Sequence, residues 1–115
     1  MKIITLVLNK SPYGDESAFN ALRLASALIA SDVRVNIFLL GDGVYVAKKN
    51  QTPPKNATNI QEMLQNFIIG KAEIKVCGLC AKSRGIEKEL LEGCPISSMM
   101  DLANWITESD QTITF

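Results

Sequence analysis

The chain has 115 residues, 47% of them hydrophobic, enough for one domain, residues 1–115, with an apolar core. Twelve basic residues balance twelve acidic ones, so no overall field draws it to nucleic acid or to an anionic membrane. Its apolar runs fall far short of the roughly 20 residues that cross a bilayer, and no membrane partner is expected.

Met1 to Leu8 has the apolarity of a signal peptide but runs straight into Asn9-Lys10-Ser11-Pro12 without a small-residue cleavage site, and it reads as a first strand. The turn chemistry of Ser11-Pro12-Tyr13-Gly14-Asp15 follows. Asp15 is placed to cap a helix carrying Phe19, Leu22, Ala25, Leu28 and Ile29 and ending near Ser31-Asp32. Val33 to Leu40 alternates and then turns wholly apolar, which predicts a second strand before Gly41-Asp42-Gly43. Residues 50 to 59 form the one long irregular segment, a surface loop. Thr58-x-x-Gln61 offers a capping box for a helix with Ile60, Met63, Leu64, Phe67 and Ile68, closed by Gly70.

Ala72 to Val76 predicts a short third strand that ends at the cysteines. Ser83 is then expected to cap a brief helix through Leu91 that stops at Gly93. Ser98-x-x-Asp101 opens a last helix with Met99, Leu102, Ala103 and Ile106 inward, before a terminal strand over Thr112 to Phe115. This alternation implies a mainly parallel, five-stranded sheet with right-handed crossovers and helices on both faces. Three strand-to-helix loops then meet at the carboxyl ends of the strands, where ligands of open α/β sheets bind: Asn9 to Asp15, Gly41 to Val44 and Cys77 to Ser83.

The most chemically loaded stretch is Cys77-Gly78-Leu79-Cys80-Ala81-Lys82-Ser83-Arg84-Gly85. Three cysteines, an odd number and with no secretory signal, point to free thiols in a reducing compartment, the cytosol. A thiolate is stabilised at a helix N-terminus near cations, and Lys82 and Arg84 are positioned to help. An inert Cys77 that merely ends a buried strand is the competing reading. A closed zinc site lacks ligands, because the chain has no histidine and no second Cys-x-x-Cys; no metal or cofactor is expected. The missing histidine also rules out a Cys-His dyad. A Cys77–Cys80 redox pair has the right spacing but not the aromatic and proline context of the thioredoxins. Gly41-Asp42-Gly43 is a weak nucleotide signal and reads better as a tight turn, with Asp42 capping the short helix after it. Tyr13 is either a lid over the thiol or a surface aromatic, while Phe67, Met99, Met100 and Trp105 belong to core or subunit interface.

Five segments together resemble the YchN-type branch of the DsrE/DsrF-like superfamily. They are Pro12-Tyr13-Gly14-Asp15-Glu16-Ser17 with the helix behind it, Asn59 to Leu64, Val76-Cys77-x-x-Cys80 before Arg84-Gly85-Ile86, Leu102-Ala103-x-Trp105, and the closing Thr114-Phe115. The resemblance implies a flavodoxin-like α/β domain assembled as a homotrimer or homohexamer. It also implies a sulfur relay in which Cys77 carries a persulfide between donor and acceptor proteins with reactive thiols. Around it, Tyr13, Gly14 and Asp42 are expected to wall the crevice, and Lys82 and Arg84 to hold the anionic sulfur. Cys80 matches the second cysteine of the branch, with a resolving role inferred; Cys94 matches no motif and reads as a core filler. A dithiol redox protein and a non-catalytic ring-forming scaffold are the alternatives.

Overall fold

The strand Ile3–Leu8 (β1) is buried from its second residue onward, which requires cover on both faces. The computed structural model, which describes residues 1–70 and 72–115, supplies that cover from helices either side of a five-stranded sheet. After β1 come α1 (Ser17–Ala30), β2 (Arg34–Leu39), a 3₁₀ segment (Gly41–Ala47), α2 (Ile60–Ile69), β3 (Glu73–Cys77), α3 (Gly78–Ser83), β4 (Ile96–Ser97), α4 (Met99–Glu108) and β5 (Gln111–Thr114). All four strand pairings are parallel, in the order β4-β3-β2-β1-β5.

That order explains the layering. From β1 to β4 the chain always steps the same way across the sheet, so right-handed crossovers put α1 and α2 on one face, where they touch each other. The return from β4 to β5 reverses direction and carries α4 to the opposite face, against β1. The doubly wound layers are those of a flavodoxin-like sheet. The strand order is not flavodoxin's 2-1-3-4-5, because here the last strand flanks β1.

Phe38, Leu6, Leu8, Ile37 and Leu39 form the fully buried centre, with Leu22 of α1 and Leu64 of α2 on the same core. On the other face Trp105 stands edge-on to Phe38, with ring centroids 6.2 Å apart, and Lys75 lies over the indole at 4.7 Å. Of the α4 residues expected inward, Leu102 is buried, whereas Met99, Ala103 and Ile106 are exposed. A lone helix on a broad sheet buries only a narrow stripe, here Leu102 and Trp105, three residues apart.

Two other expectations shift. Asn59 rather than Thr58 caps α2, its side-chain oxygen accepting from the Glu62 N–H at 3.1 Å. Residues 84–95 do not form a helix begun at Ser83: α3 starts five residues earlier, capped by Cys77, and ends at Ser83. The apolar residues that imitated a helical stripe have separate destinations. Ile86 enters the core, Leu90 bridges to Lys48, and the Leu91 N–H bonds the Ala47 carbonyl at 2.8 Å.

Candidate functional site

Cys77 is at once the last residue of β3 and the cap of α3. Its Sγ accepts the backbone N–H of Cys80 at 3.3 Å, one helical turn on. Parallel pairing with β2 brings the turn after Leu39 alongside, and the Gly41 N–H donates to Cys80 Sγ, also at 3.3 Å. Two sulfurs are therefore linked in series by two main-chain donors, one from each loop. Cys77 is only 5% exposed, Cys80 is half-buried, and Leu79 between them is 79% exposed.

Burial raises the Cys77 pKa above its ordinary value, reinforced by the neighbouring Cys80 side chain and only partly offset by the Cys80 N–H. The resting sulfur is thus a shielded thiol, contrary to the expectation of a thiolate held by cations. Neither cation is bonded to Cys77. Arg84 pairs with Asp42, Nη2 to Oδ1 at 2.9 Å and Nε to Oδ1 at 3.0 Å, while Nη1 donates to the Cys80 carbonyl at 3.1 Å. Lys82 is exposed on the last turn of α3, away from the capped end. Asp42 does not cap the 3₁₀ segment, whose first residue follows Leu40 with no side-chain cap; its carboxylate serves Arg84 instead.

Gly43 explains the Gly-Asp-Gly turn without a nucleotide. A Cβ there would lie 1.9 Å from the Leu8 carbonyl oxygen, so the turn can press onto the end of β1 only with glycine at that position. Two residues earlier in the same turn, Gly41 donates its N–H to Cys80 Sγ. Being a backbone donor, it left no side-chain signal in the sequence beyond the turn itself.

Tyr13 and Gly14 sit apart from the thiols in their contacts. The Tyr13 hydroxyl accepts the Ile60 N–H at 3.1 Å and donates to Gln61 Oε1 at 3.2 Å, tying the first loop to the start of α2. Both residues line a cavity of about 520 Å³ with Phe19, Pro54, Thr58 and Ile60, a different recess from the Cys77 turn. The third cysteine, Cys94, is 4% exposed, and burial alone pushes its thiol up to about 12. No group of three or more Cys, Asp or Glu side chains suited to a metal ion comes together among the described residues.

The site is a thiol pair in the strand-to-helix turn of a parallel α/β sheet, one cysteine buried and one within reach of solvent. Residues 2–115 match the DsrE/DsrF-like family, and the chain belongs to that family. It is 46% identical over 112 residues to the uncharacterized protein MJ0989 of Methanocaldococcus jannaschii, covering 96% of this chain and 97% of the relative. It is 37% identical to protein YchN of Escherichia coli over the whole of both chains, and the crystal structure of that protein superposes with a TM-score of 0.92. A more distant relative is protein TusC of Buchnera aphidicola, 28% identical over the whole of both chains. These likenesses bear out the YchN-type branch and the α/β fold.

Proposed function

We propose that the chain is a sulfur-relay protein that accepts sulfane sulfur on Cys77, holds it as a persulfide, and passes it to a partner thiol. One observation carries the reading: a buried sulfur at the carboxyl end of β3 that receives a main-chain N–H and has a second thiol one turn away. The family and the TusC relative support the same class of chemistry.

In the first step the Cys77 thiolate attacks the outer sulfur of a donor persulfide, R–S–SH, giving Cys77–S–SH and R–S⁻. A hydropersulfide is more acidic than its parent thiol, so the loaded form carries its charge on the outer sulfur. The Cys80 N–H stays on the inner sulfur. Arg84 acts as the clamp that fixes Asp42 and the Cys80 carbonyl, and so holds the two loops together, rather than as a direct charge partner of Cys77.

The donors and acceptors are proteins with reactive thiols, and reduced thiols suit the cytoplasm. Leu79 on α3, Ile96 on β4 and Met99 and Met100 at the start of α4 are all at least half exposed. Such a set supports a homotrimer or homohexamer that covers it. To test the function, the protein is incubated with a sulfur donor and its intact mass compared with that of Cys77→Ala. One added sulfur in the wild type and none in the variant is expected; equal uptake by both refutes the assignment.

The sulfur–sulfur juxtaposition favours a second reading, a Cys77–Cys80 dithiol couple. It requires a two-electron couple in a redox titration that disappears in Cys80→Ser.

A further inference from the structure

Transfer to a partner thiol demands that the partner reach a sulfur attached to a residue that is 5% exposed. Cys80 faces no such obstacle, since its own N–H already lies against Cys77 Sγ at 3.3 Å. We propose that Cys80 discharges the Cys77 persulfide internally, releasing the sulfur as hydrosulfide, so that the chain is a sulfane-sulfur reductase as well as a carrier. The proposal rests on the persulfide reading above.

The step is a thiol–disulfide exchange within one turn. The Cys80 thiol gives its proton to the anionic outer sulfur, the resulting thiolate attacks the inner sulfur of Cys77–S–SH, the bond to the outer sulfur breaks, and HS⁻ leaves with its electron pair. The product is a Cys77–Cys80 disulfide. An external dithiol, D(SH)₂, then attacks the disulfide and restores both cysteines, leaving the cyclic disulfide of D. The sum is the reduction of a sulfane sulfur to sulfide by a dithiol, with no other oxidant or reductant.

Three features support this assignment. The Gly41 N–H donates to Cys80 Sγ at 3.3 Å and so holds that side chain in a fixed orientation at the turn. The Cys80 N–H contact sets the Cys80 residue against the inner sulfur, the atom whose attack expels HS⁻. The disulfide's accessible sulfur belongs to half-buried Cys80 and not to buried Cys77, so a dithiol reductant meets Cys80 first and leaves Cys77 free to be reloaded.

The chemistry also fixes what precedes and follows. For the discharge reaction, beside the protein donors of the relay, the substrate is a small sulfane-sulfur donor such as inorganic polysulfide or a low-molecular-weight hydropersulfide, able to enter a shielded site. The product, hydrosulfide, must feed a reaction that consumes sulfide.

The test is a single turnover of the full chain without reductant. Protein loaded with inorganic polysulfide near pH 6 is freed of excess donor and shifted to about pH 8, where thiolate attack accelerates. Sulfide release and intact mass are followed together. Wild type should release close to one sulfide per chain and end two hydrogens lighter than the dithiol, at least about tenfold faster than Cys80→Ser, which keeps its added sulfur. Cys94→Ala should behave as wild type. Retention of the sulfur by wild type for as long as by Cys80→Ser overturns the discharge while leaving the carrier role standing. Failure of both wild type and Cys80→Ser to take up sulfur on Cys77 overturns the carrier reading and this one with it.

Discussion

Two turns of this molecule each bury a cysteine to a similar depth, and they could hardly be less alike chemically. Cys94, before β4, is surrounded so that burial alone sets its acidity. Cys77, at the end of β3, is equally hidden, yet it caps a helix by accepting the N–H of Cys80, whose own thiol is bound by a neighbouring loop. Burial therefore says little about which thiol is chemically competent; the polar atoms within reach of the sulfur do.

The largest expected effect separates the two turns by alkylation of the native protein near pH 8. A thiol pushed up to about 12 is ionised about 1000-fold less than a free cysteine, so Cys94 should remain unmodified while Cys80 reacts. Cys77 should lie between them. Modification of Cys94 at the rate of Cys80 would erase the distinction.

A smaller effect concerns stability against pH. In the unfolded chain Cys94 ionises near 9.0, whereas in the fold it keeps its proton to about 12. Between those values the unfolded state holds fewer protons, so stability falls as pH rises, by about 1.4 kcal/mol per pH unit from this group. Its contribution is fully present below pH 9 and vanishes in Cys94→Ala. Parallel wild-type and Cys94→Ala denaturation curves above pH 9 would show that the thiol is not buried as described.

The smallest effect probes what the Cys77 turn has and the Cys94 turn lacks, a clamp. Arg84→Ala should cost only about 0.5–1 kcal/mol, because the Asp42 partner is largely in solvent. Arg84→Lys should recover part of that loss, since an ammonium cannot bond both the carboxylate and the Cys80 carbonyl with one planar fork. Denaturant midpoints read both variants, and full recovery by lysine would reduce the clamp to simple charge.

How much of this was legible depended on whether the signal was local. The capping pair Ser98 and Asp101 was readable because cap and helix are three residues apart, and the Ser98 hydroxyl accepts the Asp101 N–H at 3.2 Å. Thr58 and Asn59 are both good caps, so their order could not be separated by type. The start of α3 was missed because sulfur is not among the usual capping groups, and the spacing of Ile86, Leu90 and Leu91 supplied a false helix in its place. Cys77 itself was visible from the strand pattern and the two-residue gap to Cys80. The Arg84–Asp42 pair, 42 residues apart, and the Gly41 N–H on Cys80 exist only once β2 and β3 lie side by side.

The brevity of β4 bears on how copies of the chain can meet. A border strand of two residues, Ile96–Ser97, exposes almost no run of free amide and carbonyl groups, so another sheet cannot extend this one by main-chain pairing there. Contact on that flank has to be made by side chains. An assembly glued by Leu79, Ile96 and the two methionines would tolerate high salt and loosen in the cold, the opposite of what an interface stitched by ion pairs would do.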